Sequence, residues 1–431
     1  MNKIKDIKAR EVLDSRGNPT IEVEVSTNYC KSSAIVPSGA SKGRYEAFEL
    51  RDNNKRYLGL GVKKAVNNVN TVIRKKLTGK NIEDQDFIDS LMVKLDGTKN
   101  KKKLGANAIL GVSMACARTS AICQGLKLYE YIAKISDNRN YVVPVPFMNV
   151  INGGMHAGNA LDFQEYLIVP IAKNYSESLR MGSEIYHTLK QVIIKKHGKF
   201  SINLGDEGGF APNLKSVKEP LDLMMKAIEE LGYEKNVNIA IDVAASSLYK
   251  KIRGKKQYCI EGKCYSLNQL FGLYKSLIEE YPIIALEDPF EQDKFLEFKK
   301  FVEFGTGVTV IGDDLLVTNI ERIKKAIKLN SCNCLLLKLN QIGTLTEAIN
   351  AGKLAIKNGW DVIISHRSGD TEDSFIADLS VGLGFGQIKA GAPSRGERIS
   401  KYNQLLRIEE ELGKKAVYPE RVCYYSCRVN L

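Results

Sequence analysis

Six apolar runs, each followed by an amphipathic helical pattern, fill the second half of the chain and restrict its fold more than any other feature. "VNIAID" precedes "SLNQLFGLYKSLIEEY", and "PIIALED" precedes "DKFLEFKKFVEF". "VTVIGDD" leads to "NIERIKKAIKL", "CLLLK" to "TLTEAINAGKLAIKNG", "DVIISHR" to "DSFIADLSVGL", and "GQIK" to "ERISKYNQLLRIEEEL". Strands that alternate with helices pair in parallel and are covered on both faces. No Gly-x-Gly-x-x-G turn marks a dinucleotide crevice, so a closed barrel is expected rather than an open sheet.

Each of these strands ends in a polar side chain: Asp242, Glu287, Asp313, Lys338, His366 with Arg367, and Lys389. Singly, a strand-end aspartate reads as the cap of the next helix. Six at the same point read as a site, because the carboxyl ends of parallel barrel strands share one mouth. Three converging carboxylates repel one another unless a cation sits among them, and an all-oxygen set favours magnesium over zinc. Lys338, in "CLLLKLNQIG", follows three leucines in an otherwise apolar strand. Such a lysine either snorkels to water or stays buried with work to do. As a base near neutral pH it needs its pKa lowered by roughly 2–3 units from about 10.4.

The first part of the chain reads differently. "TIEVEV" alternates Ile21, Val23 and Val25 with glutamates, the period of a half-buried strand. "GVKKAVNNVNTVIRKKL" sets Val62, Val66, Val69, Ile73 and Leu77 on one helical face. "LGANAILGVSMACARTSAI" is rich in small residues, as suits a closely packed helix. "YVVPVPFMNVINGG" reads as a proline-containing connection into a second domain. Two more segments suit chemistry at the barrel mouth. "GDEGGFAPN" sets Asp206 and Glu207 among glycines that let backbone approach a ligand. "SHRSGDTED" supplies His366, Arg367 and Ser368, a set able to grip phosphate.

Composition narrows the class. The charged N-terminus is neither signal peptide nor anchor, and no run reads as a bilayer span. Nine scattered cysteines argue against a disulfide framework or zinc site and suggest reduced thiols in a soluble intracellular protein. The net charge of +13 includes basic runs at 99–103 and 250–256. These read as solvated surface or as a footprint for weak polyanion binding.

Taken with "AREVLDSRGNPTIEVEV", "VPSGASKG", "LGANAILGVS", "NGGMHAGN", "LEDPF", "GDDLLVTN", "LLLKLNQIGT", "GQIKAGAPSR" and "KYNQLLRIEEELG", these motifs resemble the enolase family in order and over almost the whole chain. The resemblance implies an α/β protein: an α+β N-terminal capping domain (1–140) with a mobile active-site loop, then a modified TIM-type (β/α)8 barrel (141–431). It implies dehydration of 2-phosphoglycerate to phosphoenolpyruvate with two Mg2+ ions, in a cytoplasmic homodimer. Asp242, Glu287 and Asp313 would then hold the first magnesium, and Ser38 would serve the second. His156, Gln164, Glu165 and His366 would line the substrate, Arg367 and Ser368 would bind its phosphate, and Lys389 its carboxylate. Glu207 would be the general acid, arriving protonated, and Lys338 the base. Lys42, Ser247 and Asp370 depart from the family pattern, and the segment from Val417 has no counterpart in it. Two rivals stand beside this reading. One is a carboxylate racemase or sugar-acid dehydratase with the same three carboxylates and no phosphate set. The other is a polyanion-binding protein without turnover.

Overall fold

The computed structural model describes residues 2–40, 42–252, 254–420 and 422. Ser41 of "PSGASKG", Arg253 of the second basic run and the tail beyond 422 lie outside the described residues.

Alternation builds the first layer as expected. Strands β1 (Asp6–Leu13), β2 (Pro19–Ser26) and β3 (Lys31–Ile35) form an antiparallel sheet in that order. Ile21, Val23 and Val25 are fully buried. The helix Ala106–Cys123 covers this face and is itself almost wholly buried. Gly111 permits the close approach, since a Cβ there would lie 2.6 Å from Val23 Cγ2. By length and hydropathy this helix would also suit a bilayer, which the sequence reading did not anticipate; here it is a core helix. Residues 63–77 are helical, with a wider π turn at Val69–Ile73, and Val62, Val69, Ile73 and Leu77 face inward.

Eight strands close into a barrel: β4 (Val145–Asn152), β5 (Glu165–Pro170), β6 (Val237–Asp242), β10 (Ile283–Glu287), β11 (Thr309–Gly312), β12 (Cys334–Leu337), β13 (Asp361–Ser365) and β14 (Gln387–Lys389). Between β6 and β10 the chain makes a separate three-stranded excursion, β7 (Tyr249–Ile252), β8 (Lys255–Ile260) and β9 (Lys263–Tyr265). Strand β5 runs antiparallel to both neighbours, while the pairs from β6 through β14 to β4 are parallel. The simple strand–helix order therefore breaks at β4–β5 and again at the excursion after β6.

Three expectations are corrected here. Only the first four residues of "YVVPVPFMNVINGG" are connection: Val145–Asn152 is the first barrel strand, with every residue buried. The chain beyond Val417 is not an unplaced appendage at its beginning. Val417 O accepts from Val143 N at 2.9 Å, and Tyr418 Oη donates to Ser178 Oγ at 2.7 Å. Val422 joins the apolar layer inside the barrel. Not every cysteine is a free thiol either, because Cys259 and Cys264 form a disulfide across paired positions of β8 and β9.

Side chains alternate between barrel interior and outer helices. Cys334 and Leu336 belong to the interior layer with Phe147, Leu167, Ala240, Ala285, Ile311 and Ile363. Leu335 and Leu337 pack into the surrounding core. The next inward positions, one step nearer the mouth, are Lys338, Asn149, Glu165, Asp242, Glu287, Asp313, Ser365 and Lys389. A polar layer thus stands directly on an apolar floor.

Candidate active site

Register sets the geometry. Glu165 pairs with Asp242, and Asp242 with Glu287, so three carboxylates lie side by side across β5, β6 and β10. All three are buried. Lys389, buried at the end of β14, reaches over them. Its Nζ lies 2.7 Å from Glu287 Oε2, 2.8 Å from Glu165 Oε2 and 3.9 Å from Asp242 Oδ2. Burial opposes the charge of Lys389, but the carboxylates outweigh it and its pKa is pushed well up. Burial and mutual repulsion act the other way on Asp242 and Glu287, whereas Glu165, penalised by burial, is held below its ordinary value by Lys389 and His156. Asp242 is pushed up to about 7, chiefly by burial, and Glu287 rises well above the carboxylate range.

Lys338 stands on the opposite strands. Its Nζ donates to Asp313 Oδ2 at 2.6 Å, and Gln341 Nε2 donates to Asp313 Oδ1 at 2.8 Å. Burial disfavours the ammonium, yet Asp313 prevails and the Lys338 pKa is raised. The expected lowering is therefore absent while Asp313 pairs with the amine. Asp313 itself is penalised by burial but held below its ordinary value by Lys338. Asp288, with φ +41°, turns its carboxylate under the next strand end and accepts from Asp313 N at 3.1 Å and Asp314 N at 2.6 Å.

The third group surrounds Glu207. His156 Nδ1 is 3.4 Å from both Glu165 Oε1 and Glu207 Oε1, and His366 Nε2 is 3.3 Å from Glu207 Oε2. Asn149 Nδ2 donates to Glu207 Oε2 at 3.0 Å. Burial works against the Glu207 charge, but His366 and His156 hold the carboxyl well below its usual range. Glu207 here favours its carboxylate form, opposite in direction to the protonated acid expected from the sequence. Burial disfavours the His156 charge, but Glu207 and Glu165 raise its pKa. Burial keeps His366 lowered. Gln164 Nε2 donates to Asp242 Oδ2 at 3.0 Å, and Glu165, against both Lys389 and His156, joins the two clusters.

The N-terminal domain completes the rim. Arg367 is gripped at both ends of its guanidinium by Glu46, at 3.0 and 3.1 Å, and donates to Asn340 Oδ1 at 2.8 Å. Ser368 Oγ accepts from Ala40 N at 2.6 Å, and Ser38 and Gly369 exchange backbone hydrogen bonds of 2.7 and 2.8 Å. Ser38 is fully buried and its hydroxyl donates to Asp14 Oδ2 at 2.8 Å, so it faces Asp14 rather than the barrel carboxylates. The glycines of "GDEGGFAPN" also permit close backbone packing around the site. A Cβ on Gly205 would meet His156 O at 2.7 Å, and one on Gly209 would meet Asn149 O at 3.1 Å.

Sequence reasoning missed Glu46, Asn149, Gln341, Asp288 and Arg398. Asn149 had a usable signal, the inward period two of β4. Arg398 did not: it is fully buried under the "SHRSGD" loop, donating to the carbonyls of Arg367 at 2.7 Å and Ser368 at 2.6 Å. The three departures from the family pattern are accommodated. Lys42 pairs with Glu49, Ser247 Oγ caps Ala244 O at 2.9 Å, and Asp370 binds Lys401.

Acidic clusters here are compatible with metal binding. Oxygens or ring nitrogens of His156, Glu165 and Glu207 lie within 4.8 Å of one another, as do those of Asp288, Asp313 and Asp314. Among the described residues, Asp313 is the one expected ligand that belongs to such a group, while Glu287 Oε2 lies against Lys389 Nζ at 2.7 Å. The donor set nevertheless fits a hard divalent cation. Asp242, Glu287 and Asp313 offer oxygens alone, and Glu287 Oε1 is buried with no hydrogen-bond partner among the described residues.

Comparison with known proteins agrees with this geometry. A family profile described as "Enolase, N-terminal domain" matches residues 4–132, and one described as "Enolase, C-terminal TIM barrel domain" matches residues 140–426, beyond Val417. Curated proteins named enolase are similar over nearly their full length. That of Methanocaldococcus jannaschii is 54% identical across 95% of this chain and 96% of its own. The tomato protein (Solanum lycopersicum) is 54% identical across 97% of each chain, and that of Thermococcus gammatolerans 53% across 97% of each. A capping domain, a barrel with one reversed strand and two matching family profiles lead to one conclusion: the chain belongs to the enolase family.

Proposed function

We propose that this chain dehydrates 2-phospho-D-glycerate reversibly to phosphoenolpyruvate, with Lys338 as the base and the Glu207–His156 pair as the proton donor. Family membership makes it a phosphopyruvate hydratase, a carbon–oxygen lyase of glycolysis. The observation that carries the residue roles is the polar layer on the apolar floor, with Lys338 and the Glu207 cluster at the same mouth. Two magnesium ions held by Asp242, Glu287 and Asp313, and by Ser38 at the second site, would stabilise the negative charge that builds on the substrate carboxylate.

The protein side of the reaction follows from the side chains. Arg367 and Ser368 take the phosphate, which requires Arg367 to exchange Glu46 for the ligand. Lys389 faces the substrate carboxylate. Lys338 Nζ accepts the proton from the carbon beside that carboxylate once Asp313 no longer holds the amine protonated. The hydroxyl on the next carbon then leaves as water, its proton delivered through Glu207 from His156 Nδ1. Gln164, Glu165 and His366 fix these groups in place. The phosphate-binding set is what separates this reading from a racemase or sugar-acid dehydratase.

An ultraviolet assay for phosphoenolpyruvate formation, run with magnesium and then with chelator, tests the proposal. Turnover should appear only with the metal; turnover that persists in chelator would contradict the metal assignment. We assign the chain a homodimeric state and cytoplasmic residence on the family reading. The runs at 99–103 and 250–256 add weak polyanion binding, which heparin retention at low salt, lost steeply as salt rises, would reveal.

A further inference from the structure

The disulfide-closed turn between β8 and β9 touches both loops that carry the proton-donor pair. Its two central residues, Glu261 and Gly262, have φ of +53° and +73°. Glycine adopts this conformation freely, but glutamate does so at a cost, so a left-handed glutamate merits an explanation from its contacts. Glu261 N donates to Asp162 Oδ2 at 2.5 Å, and Glu261 Oε1 accepts from Val217 N at 2.6 Å. Asp162 ends the loop that holds His156. Val217 lies on the segment that follows Glu207, is buried, and is anchored on its other side by Tyr166 Oη, which donates to Val217 O at 3.0 Å.

The two loops are also tied to each other. Asp206 N donates to His156 O at 2.9 Å, and Asn159 Nδ2 donates to Pro212 O at 3.0 Å. Glu261 is thus the one residue among those described that bridges both loops from outside with backbone and side chain together. Its own position is set by the turn, which the Cys259–Cys264 bond closes directly behind it. Cys264 is exposed, so a reductant can reach the bond.

We propose that Glu261 is a positioning residue for His156 and Glu207, and that reduction of Cys259–Cys264 loosens its grip and lowers turnover. This rests on the reaction assigned above. The redox step uses a dithiol. One reductant thiolate attacks a cysteine sulfur, forming a mixed disulfide and releasing the other cysteine as thiolate. The second reductant thiol then displaces the first cysteine, leaving two protein thiols and an oxidised, cyclic reductant, with two electrons and two protons transferred.

The test uses the full chain with magnesium. Glu261→Ala should lower kcat about tenfold with KM changed less than about twofold, as expected for misplaced reacting groups. Glu261→Gln, whose carbonyl still accepts from Val217 N, should restore kcat. Hydrogen exchange in Glu261→Ala should accelerate only in peptides covering 153–163 and 203–218. Kcat unchanged in the alanine variant, no recovery with glutamine, or a global loss of protection would each overturn the positioning role. Wild-type protein treated with dithiothreitol, its two thiols counted by alkylation, should lose turnover to a similar degree. Cys259→Ser/Cys264→Ser should start low and not respond. Full activity of the reduced protein would overturn the redox half. If wild type made no phosphoenolpyruvate at all, the reaction assignment would fail instead, and the exchange pattern would still report on Glu261.

Discussion

The carboxylate of Asp370 accepts from Lys401 Nζ at 2.8 Å and from Arg367 N at 3.2 Å, and lies 3.7 Å from Arg398; both cations are buried. Burial raises the cost of its charge, yet Lys401 and Arg398 hold its pKa below the ordinary aspartate value. Asp370→Ala would take from buried Lys401 its carboxylate partner, while Arg398 keeps Glu397 at 3.3 Å, and should cost about 3–5 kcal/mol in a urea titration at neutral pH. Because the folded pKa is depressed, the wild-type contribution is complete above the unfolded value of about 3.9 and is lost as pH falls below it. A variant whose stability keeps the wild-type acid dependence would show that Asp370 is not the group responsible. Glu46 makes a second prediction at this scale. It occupies Arg367 where phosphate is assigned, so Glu46→Gln should tighten inorganic phosphate binding about tenfold by calorimetry, since a ligand that must displace a bound group binds more weakly. Unchanged affinity would mean that Arg367 does not meet phosphate. Lys338 was legible in the sequence because one lysine broke an apolar run. The direct pairing of its amine with Asp313 was not, because a shared mouth does not say which strand ends touch. Glu46 was equally hidden, 321 residues from its partner.

Strands carry the site because a period of two continues from an apolar floor into a polar rim. Six of the barrel strands and their helices were readable from that pattern. Strand β4 was not, since its prolines resemble a linker; they are tolerated here in a strand whose pairing to β14 begins at Val145. The reversal of β5 was hidden as well, because alternation along a strand carries no sign of its direction. The excursion β7–β9 was masked by its lysines, whose exposed faces match solvated loop. The floor and the rim should separate in experiment. Leu336→Ala, fully buried one inward step below Lys338, should cost about 2–5 kcal/mol in denaturant. Its magnesium requirement should be kept. A variant that lost stability and also turned over without metal would show that floor and rim are not independent.

At the scale of the molecule, the capping domain is bound to the barrel by partly buried polar contacts rather than by proximity in sequence. Asp89 accepts from Thr346 N at 3.0 Å, Lys101 pairs with Glu347 at 2.9 Å, and Arg118 meets Asp373 at 2.5 Å. The same arrangement places Ser38, Ala40 and Glu46 over the barrel mouth, so the site is a product of both domains. The order of motifs along the chain made this pairing of domains readable; the residues that join them were not, since each contact couples positions hundreds of residues apart. On the proposed function, this mouth removes a carbon-bound proton before it expels hydroxide, with Lys338 as the acceptor. The most direct measurement is exchange of that proton with solvent deuterium, followed alongside product formation. Glu207→Gln should still exchange while forming little phosphoenolpyruvate, and Lys338→Ala should do neither. Exchange at the wild-type rate in Lys338→Ala would contradict the account.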